Sequence, residues 1–166
     1  ETATMMIPYP VTTIPVFIMF RKMGWIDTFL PLTVPAFFGN AFFIFLLRQF
    51  YLSIPMELDD AAKIDGCSSW QIFCNIHLPL IKPALITMAV LHFIGAWNDF
   101  FGPLIYLTSQ RNYTLALGLA TFRGMYSTDW ELLMAASLVV ITPAIIVFFF
   151  AQRKIIEGIT LTGMRG

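Results

Sequence analysis

Apolar runs close to the length of a bilayer crossing recur along this chain, and they constrain its fold more than anything else in the sequence. A helix rises 1.5 Å per residue, so roughly 20 apolar residues cover the hydrocarbon layer of a membrane. Four such runs can be drawn, at 3–20, 29–47, 84–107 and 132–150. Only 12% of the residues are charged, whereas a soluble domain carries about 25%. The predicted fold class is therefore all-α and polytopic, with bilayer as the solvent.

The runs are unlike soluble helices in detail. The first carries Pro8, Pro10 and Pro15, and the second holds Pro31, Pro35, Gly39 and Asn40. Such residues are tolerated at membrane depth where neighbouring helices satisfy the freed backbone groups. The third run contains His92, Trp97, Asn98 and Asp99, and Pro103 lies near its end. Polar groups in a span call for a partner or a function. Trp97, Asn98 and Asp99 admit two readings: they line a path across the membrane, or they cap a helix end and anchor it at the outer interface, where Trp is common. For His92 a hydrogen-bonded packing role is the simpler reading, and Phe42 to Phe45 and Phe148 to Phe150 read as lipid-facing or packing residues.

Between the second and third runs the character changes. Glu57, Asp59, Asp60, Lys63 and Asp65 fall within nine positions, which places 48–82 in water. The pattern predicts two short helices there. Ser53 and Pro55 are start signals, Leu58, Ala61 and Ala62 share a face, and Gly66 stands where a helix stops. Ser68 or Ser69 can cap the second helix, which Pro79 and Pro83 are expected to interrupt. His77 reads as an exposed or partner-contacting residue of this aqueous loop.

Several function classes lose their footing on composition. The formal net charge is zero and no run of like charges occurs, so nucleic acid is not an expected partner. No G-x-x-x-x-G-K-S/T phosphate loop, G-x-S-x-G elbow or metal-ligand spacing is present. Neither an enzyme nor a cofactor is expected, and Cys67 and Cys74 read as ordinary small residues. The chain opens on Glu1 without a targeting segment, which reads as a fragment lacking its natural start.

Four spans would put both termini on one side, together with 48–82. Lys and Arg then number six on that side (48, 63, 82, 153, 154, 165) against four on the other (21, 22, 111, 123). The positive-inside rule leans weakly toward a cytoplasmic hairpin.

The stretch DDAAKIDGCSSWQIFCNIHLPLIKP resembles the EAA signature of ABC importer permeases, through Asp60, Ala61, Ala62, Gly66, Ile76, Leu78 and Pro79. Every spacing agrees, and Asp60 stands where Glu is usual. MMIPYPVTTIP, WNDFFGPL and FFFAQRKIIEGITLTGMRG are similar to the carbohydrate-uptake branch that contains the maltose permease, in particular its smaller subunit type. The resemblance implies six spans in all, of which these are the last four. It also implies a cytoplasmic EAA loop, a type-1 transmembrane domain over 1–152 and a cytoplasmic tail over 153–166 that reaches the ATPase.

By the same resemblance the partners are a second related permease, two ATP-binding subunits and an extracytoplasmic solute-binding protein, with lipid around the spans. Asp60, Ala61, Ala62, Asp65, Gly66, Ile76, Leu78 and Pro79 would dock the ATPase. Asn40, Trp97, Asn98 and Asp99 are candidates for the translocation path. The polar loop 109–131 would face the binding protein through Tyr113, Arg123, Tyr126 and Trp130, since aromatic and Arg side chains often dominate interfaces. Import of a non-sugar solute and ion-coupled secondary transport are the competing functions, the latter drawing only on Asp99 as an intramembrane acid.

Overall fold

The computed structural model of the chain describes residues 9–123 and 129–163, with side chains described for 11–123 and 129–152. Regular structure among them is helical, without a β-strand. In chain order, α1 is Tyr9–Lys22, α2 Leu30–Thr33, α3 Ala41–Tyr51, α4 Glu57–Ile64 and α5 Ser69–Ile72. There follow α6 at Leu78–Trp97, α7 at Phe101–Tyr106, α8 at Leu115–Leu119 and α9 at Trp130–Gly163. Leu30–Tyr51, Ser69–Trp97 and Trp130–Gln152 are long and apolar enough to cross a membrane. The described part of the first apolar run forms α1, with Pro15 inside it; Pro8 lies outside the described residues.

Only 6%, 22% and 6% of those three apolar stretches is buried within the chain. Water would penalise that much bare apolar surface heavily. Lipid or other membrane helices are the surroundings these faces suit.

Proline and glycine decide where the long runs bend. The second run is not one helix: Pro31 and Pro35 start α2 and the 3₁₀ turn Val34–Phe38, and Gly39, at φ 85°, ends that turn before α3 begins. The third run ends earlier than its hydropathy implies. α6 stops at Trp97, the Asn98 amide donates to the Ile94 carbonyl, and α7 follows with Pro103 buried in its first turns. Pro79 and Pro83, expected to interrupt, lie within a nearly continuous helical path. A π turn at Phe73–His77 precedes Pro79, and the Leu78 amide reaches back to the Phe73 carbonyl. The wider turn absorbs the missing amide and the ring's crowding of the preceding turn. Past Pro143, α9 continues without a break to Gly163, so the backbone of 153–163 extends the last helix instead of leaving it at residue 150.

Two compact units emerge, one of residues 1–41 with 93–147 and the other of 42–92 with 148–166. In the second unit α3 packs on α6: Phe50, Ile81, Ala84 and Met88 are buried together, flanked by Phe43, Leu47, Tyr51 and Leu85. His92 meets the edge of Phe43. In the first unit Phe20 lies between Trp25 and Tyr106, with α2 against α7.

Candidate functional site

The hairpin 57–79 is built from local signals that mostly act as the sequence implies. α4 has no side-chain cap, and Ser53 instead donates its hydroxyl to the Phe50 carbonyl and closes α3. What favours the start of α4 is its acidic first turn, Glu57, Asp59 and Asp60, beside the positive end of the helix dipole. Gly66, at φ 80°, ends it: the Gly66 amide donates to the Lys63 carbonyl and the Cys67 amide to that of Ala62. This is a Schellman closure, and it turns on a left-handed residue. Ser68 then caps α5 in a full capping box with Gln71.

The docking candidates divide by exposure. Ala62 is buried and Ala61 faces out, as do Asp60, Asp65 and Gly66, while Ile76 is half-buried. Asp60 pairs with Lys63 at 3.3 Å, both largely solvated, and so adds little to stability. Leu78 and Pro79 border a groove of about 420 Å³ with Cys74, Lys82 and Leu85. Met56, Ile64 and Trp70, large apolar residues of this segment, are more than two-thirds exposed.

His77 is neither exposed nor idle. Its ring lies between the Tyr51 hydroxyl, bonded to Nδ1, and Asp59 Oδ1, which is 2.5 Å from Nε2. The three residues come from the end of α3, the first turn of α4 and the π turn before α6. From sequence, Asp59 is only one of the charges that place the loop in water, His77 reads as exposed or partner-contacting, and Tyr51 is not singled out; the available signal is a polar side chain at each border of two apolar runs.

In the other unit Asn40 and Asp99 line one cleft of about 810 Å³, with Phe20, Trp25, Phe38 and Tyr106 among its walls. Asp99 Oδ1 accepts from the Gly102 amide at 3.1 Å. Trp97 and Asn98 are engaged elsewhere: the indole Nε1 donates to the Val140 carbonyl at 2.8 Å, and Asn98 closes α6.

Asp27, between α1 and α2, is a hub. Its carboxylate accepts from the Thr108 amide, the Ser109 amide and the Ser109 hydroxyl, while its own amide donates to the Tyr106 carbonyl. Asn112 donates to its carbonyl at 2.7 Å. The Ser109 hydroxyl and amide, then the Thr108 amide, hold the carboxyl well below the ordinary carboxylate range. Asp27 adopts φ 62°, a conformation that Asp tolerates better than most residues. The loop after α1 is thereby fastened to the loop after α7.

Of the binding-protein candidates, Arg123 and Trp130 border one groove with Phe100 and Leu133, and Tyr113 lines another with Gln110 and Val140. Tyr126 lies outside the described residues. No three His, Cys, Asp or Glu side chains gather as a metal site among the described residues.

Comparison with known proteins decides the family. The profile of the binding-protein-dependent transport system inner membrane component matches residues 2–160. The chain belongs to that family. Among the relatives of this binding-protein-dependent permease are two arabinooligosaccharides transport system permease proteins AraQ. That of Halalkalibacterium halodurans is 39% identical over 98% of this chain and 58% of its own length. That of Bacillus subtilis is 36% identical over 98% and 57%. The lactose transport system permease protein LacG of Rhizobium radiobacter is 33% identical over 93% and 56%. The chain thus spans about half the length of the curated relatives it matches. Membership of an inner membrane family agrees with the apolar helices.

Proposed function

We propose that this chain is the permease part of a binding-protein-dependent importer that carries a carbohydrate across the cytoplasmic membrane by alternating access. Two separate ATP-binding subunits hydrolyse the nucleotide, a second related permease completes the pathway, and an extracytoplasmic binding protein delivers the sugar. The observation that carries this reading is the aqueous hairpin: two short helices, turned sharply at Gly66 and capped at Ser68, that leave Ala61, Ile64 and Trp70 exposed. A rigid projection of that kind suits insertion into a groove on a motor subunit. Carbohydrate as the cargo draws on the relatives whose names specify arabinooligosaccharides and lactose.

Within this reading residues 1–152 are the membrane domain and 153–166 the cytoplasmic end. Asn40 and Asp99, on one cleft, belong to the path, and Trp97 and Asn98 hold the helix ends around it. Arg123, Tyr113, Tyr126 and Trp130 meet the binding protein. The test is reconstitution of the complete complex in proteoliposomes, with ATPase activity and uptake measured as binding protein and a panel of mono- and oligosaccharides are added. Stimulation and uptake by one sugar class are expected. ATP-independent uptake, or stimulation only by a non-sugar solute, would overturn the assignment.

A further inference from the structure

We propose that Tyr51, His77 and Asp59 form a mechanical link that makes the aqueous hairpin move together with the two spans it joins. The proposal rests on the importer reading and adds to it the positioning residues that carry the motion. The geometry is specific. Tyr51 ends α3 and flanks the core that α3 makes with α6, His77 lies in the π turn leading into α6, and Asp59 is in the first turn of α4. One imidazole therefore ties the first hairpin helix to the end of one span and the start of the next. The His77 side chain is 12% exposed and that of Asp59 31%, so the bonds are partly sheltered from water.

The chemistry makes the link stable. A carboxylate only accepts, so Nε2–H donates to Asp59. A phenol hydroxyl both donates and accepts, so Nδ1 keeps its bond to Tyr51 whether the ring is neutral or protonated. A mechanical tie also explains the placement beside a π turn. There the ordinary i to i−4 ladder is interrupted, and without a side-chain tie the hairpin could pivot on Phe73–His77 without displacing α3.

The experiment uses the full complex in proteoliposomes and reads ATP hydrolysed per sugar imported, alongside co-purification of the ATPase subunits. His77→Ala is expected to raise ATP spent per sugar about tenfold, the scale of one lost charge-assisted hydrogen bond, with the ATPase still bound. Asp59→Ala should do the same, whereas Asp59→Asn, which keeps an acceptor, should restore most of the coupling. Tyr51→Phe, lacking one oxygen, should raise the ratio by itself and add little on top of His77→Ala, because the link is in series. Normal coupling in His77→Ala and Tyr51→Phe would overturn the link. So would loss of ATPase binding in step with transport in Tyr51→Phe, which would place the trio in the docking surface. Failure of the unaltered complex to couple ATP to any sugar would sink the importer reading instead, independently of the variants.

Discussion

Of the residues with positive φ, Gly66 and Asp27 are held there for different reasons, and substitutions should separate them. An added Cβ at Gly66 would meet nothing within 4 Å, so its cost is conformational alone. That cost is about 1–2 kcal/mol for an ordinary side chain and less for Asn. Transport and ATPase co-purification should therefore fall in the order Gly, Asn, Ala, Val at position 66, with membrane insertion unchanged; equal activity of the Asn and Val variants would contradict it. Asp27 is held by its acceptor role. Its native pKa is depressed, so the unfolded chain binds the proton more readily, and the stabilisation is complete above the ordinary value of about 3.9. It is lost as pH falls below that value toward the lower native one. Hydrogen exchange should show the Thr108 and Ser109 amides protected at neutral pH, still protected near pH 4, and opened by acid below it. Asp27→Ala should expose both at pH 7.

At the scale of elements, the junction between α6 and α7 leaves no room for a side chain at Gly102. A Cβ at Gly102 would lie 2.6 Å from Asp99 Oδ2 and 3.0 Å from Leu32 Cδ2. Gly102→Ala must therefore swing the Asp99 carboxylate away from the Gly102 amide and press on α2. We expect reduced uptake with ATPase docking intact, since the hairpin belongs to the other unit. Gly102→Ala combined with Leu32→Ala should recover part of the loss. Uptake unchanged in the single variant would show that the carboxylate position is immaterial. The aqueous hairpin shows the opposite case, an element legible from local rules, because caps and stops act within four or five residues. Gly66 and Ser68 took their expected roles for that reason.

The whole molecule turns on topology. The proposed topology puts both loops joined by Asp27 outside and the hairpin inside. A membrane-impermeant thiol reagent applied to intact cells should label a Cys introduced at Arg111, an exposed residue of the turn after α7, and should leave Cys67 unlabelled. Labelling of Cys67 from outside would invert the assignment.

Spans, the aqueous hairpin and the family signature were determined by the sequence itself, since hydropathy over about 20 residues and cap chemistry over a few are local properties. Tertiary structure alone decided the rest. Hydropathy carried the third span through to residue 107, whereas the Asn98 amide and the Asp99 carboxylate end it at Trp97. The Asp27 fastening joins residues more than eighty positions apart, and the Tyr51–His77–Asp59 link closes over 18 and 26. No periodicity records such pairings, because a hydrogen bond between distant side chains depends on where packing delivers them, and only the folded chain brings the donor and the acceptor within reach.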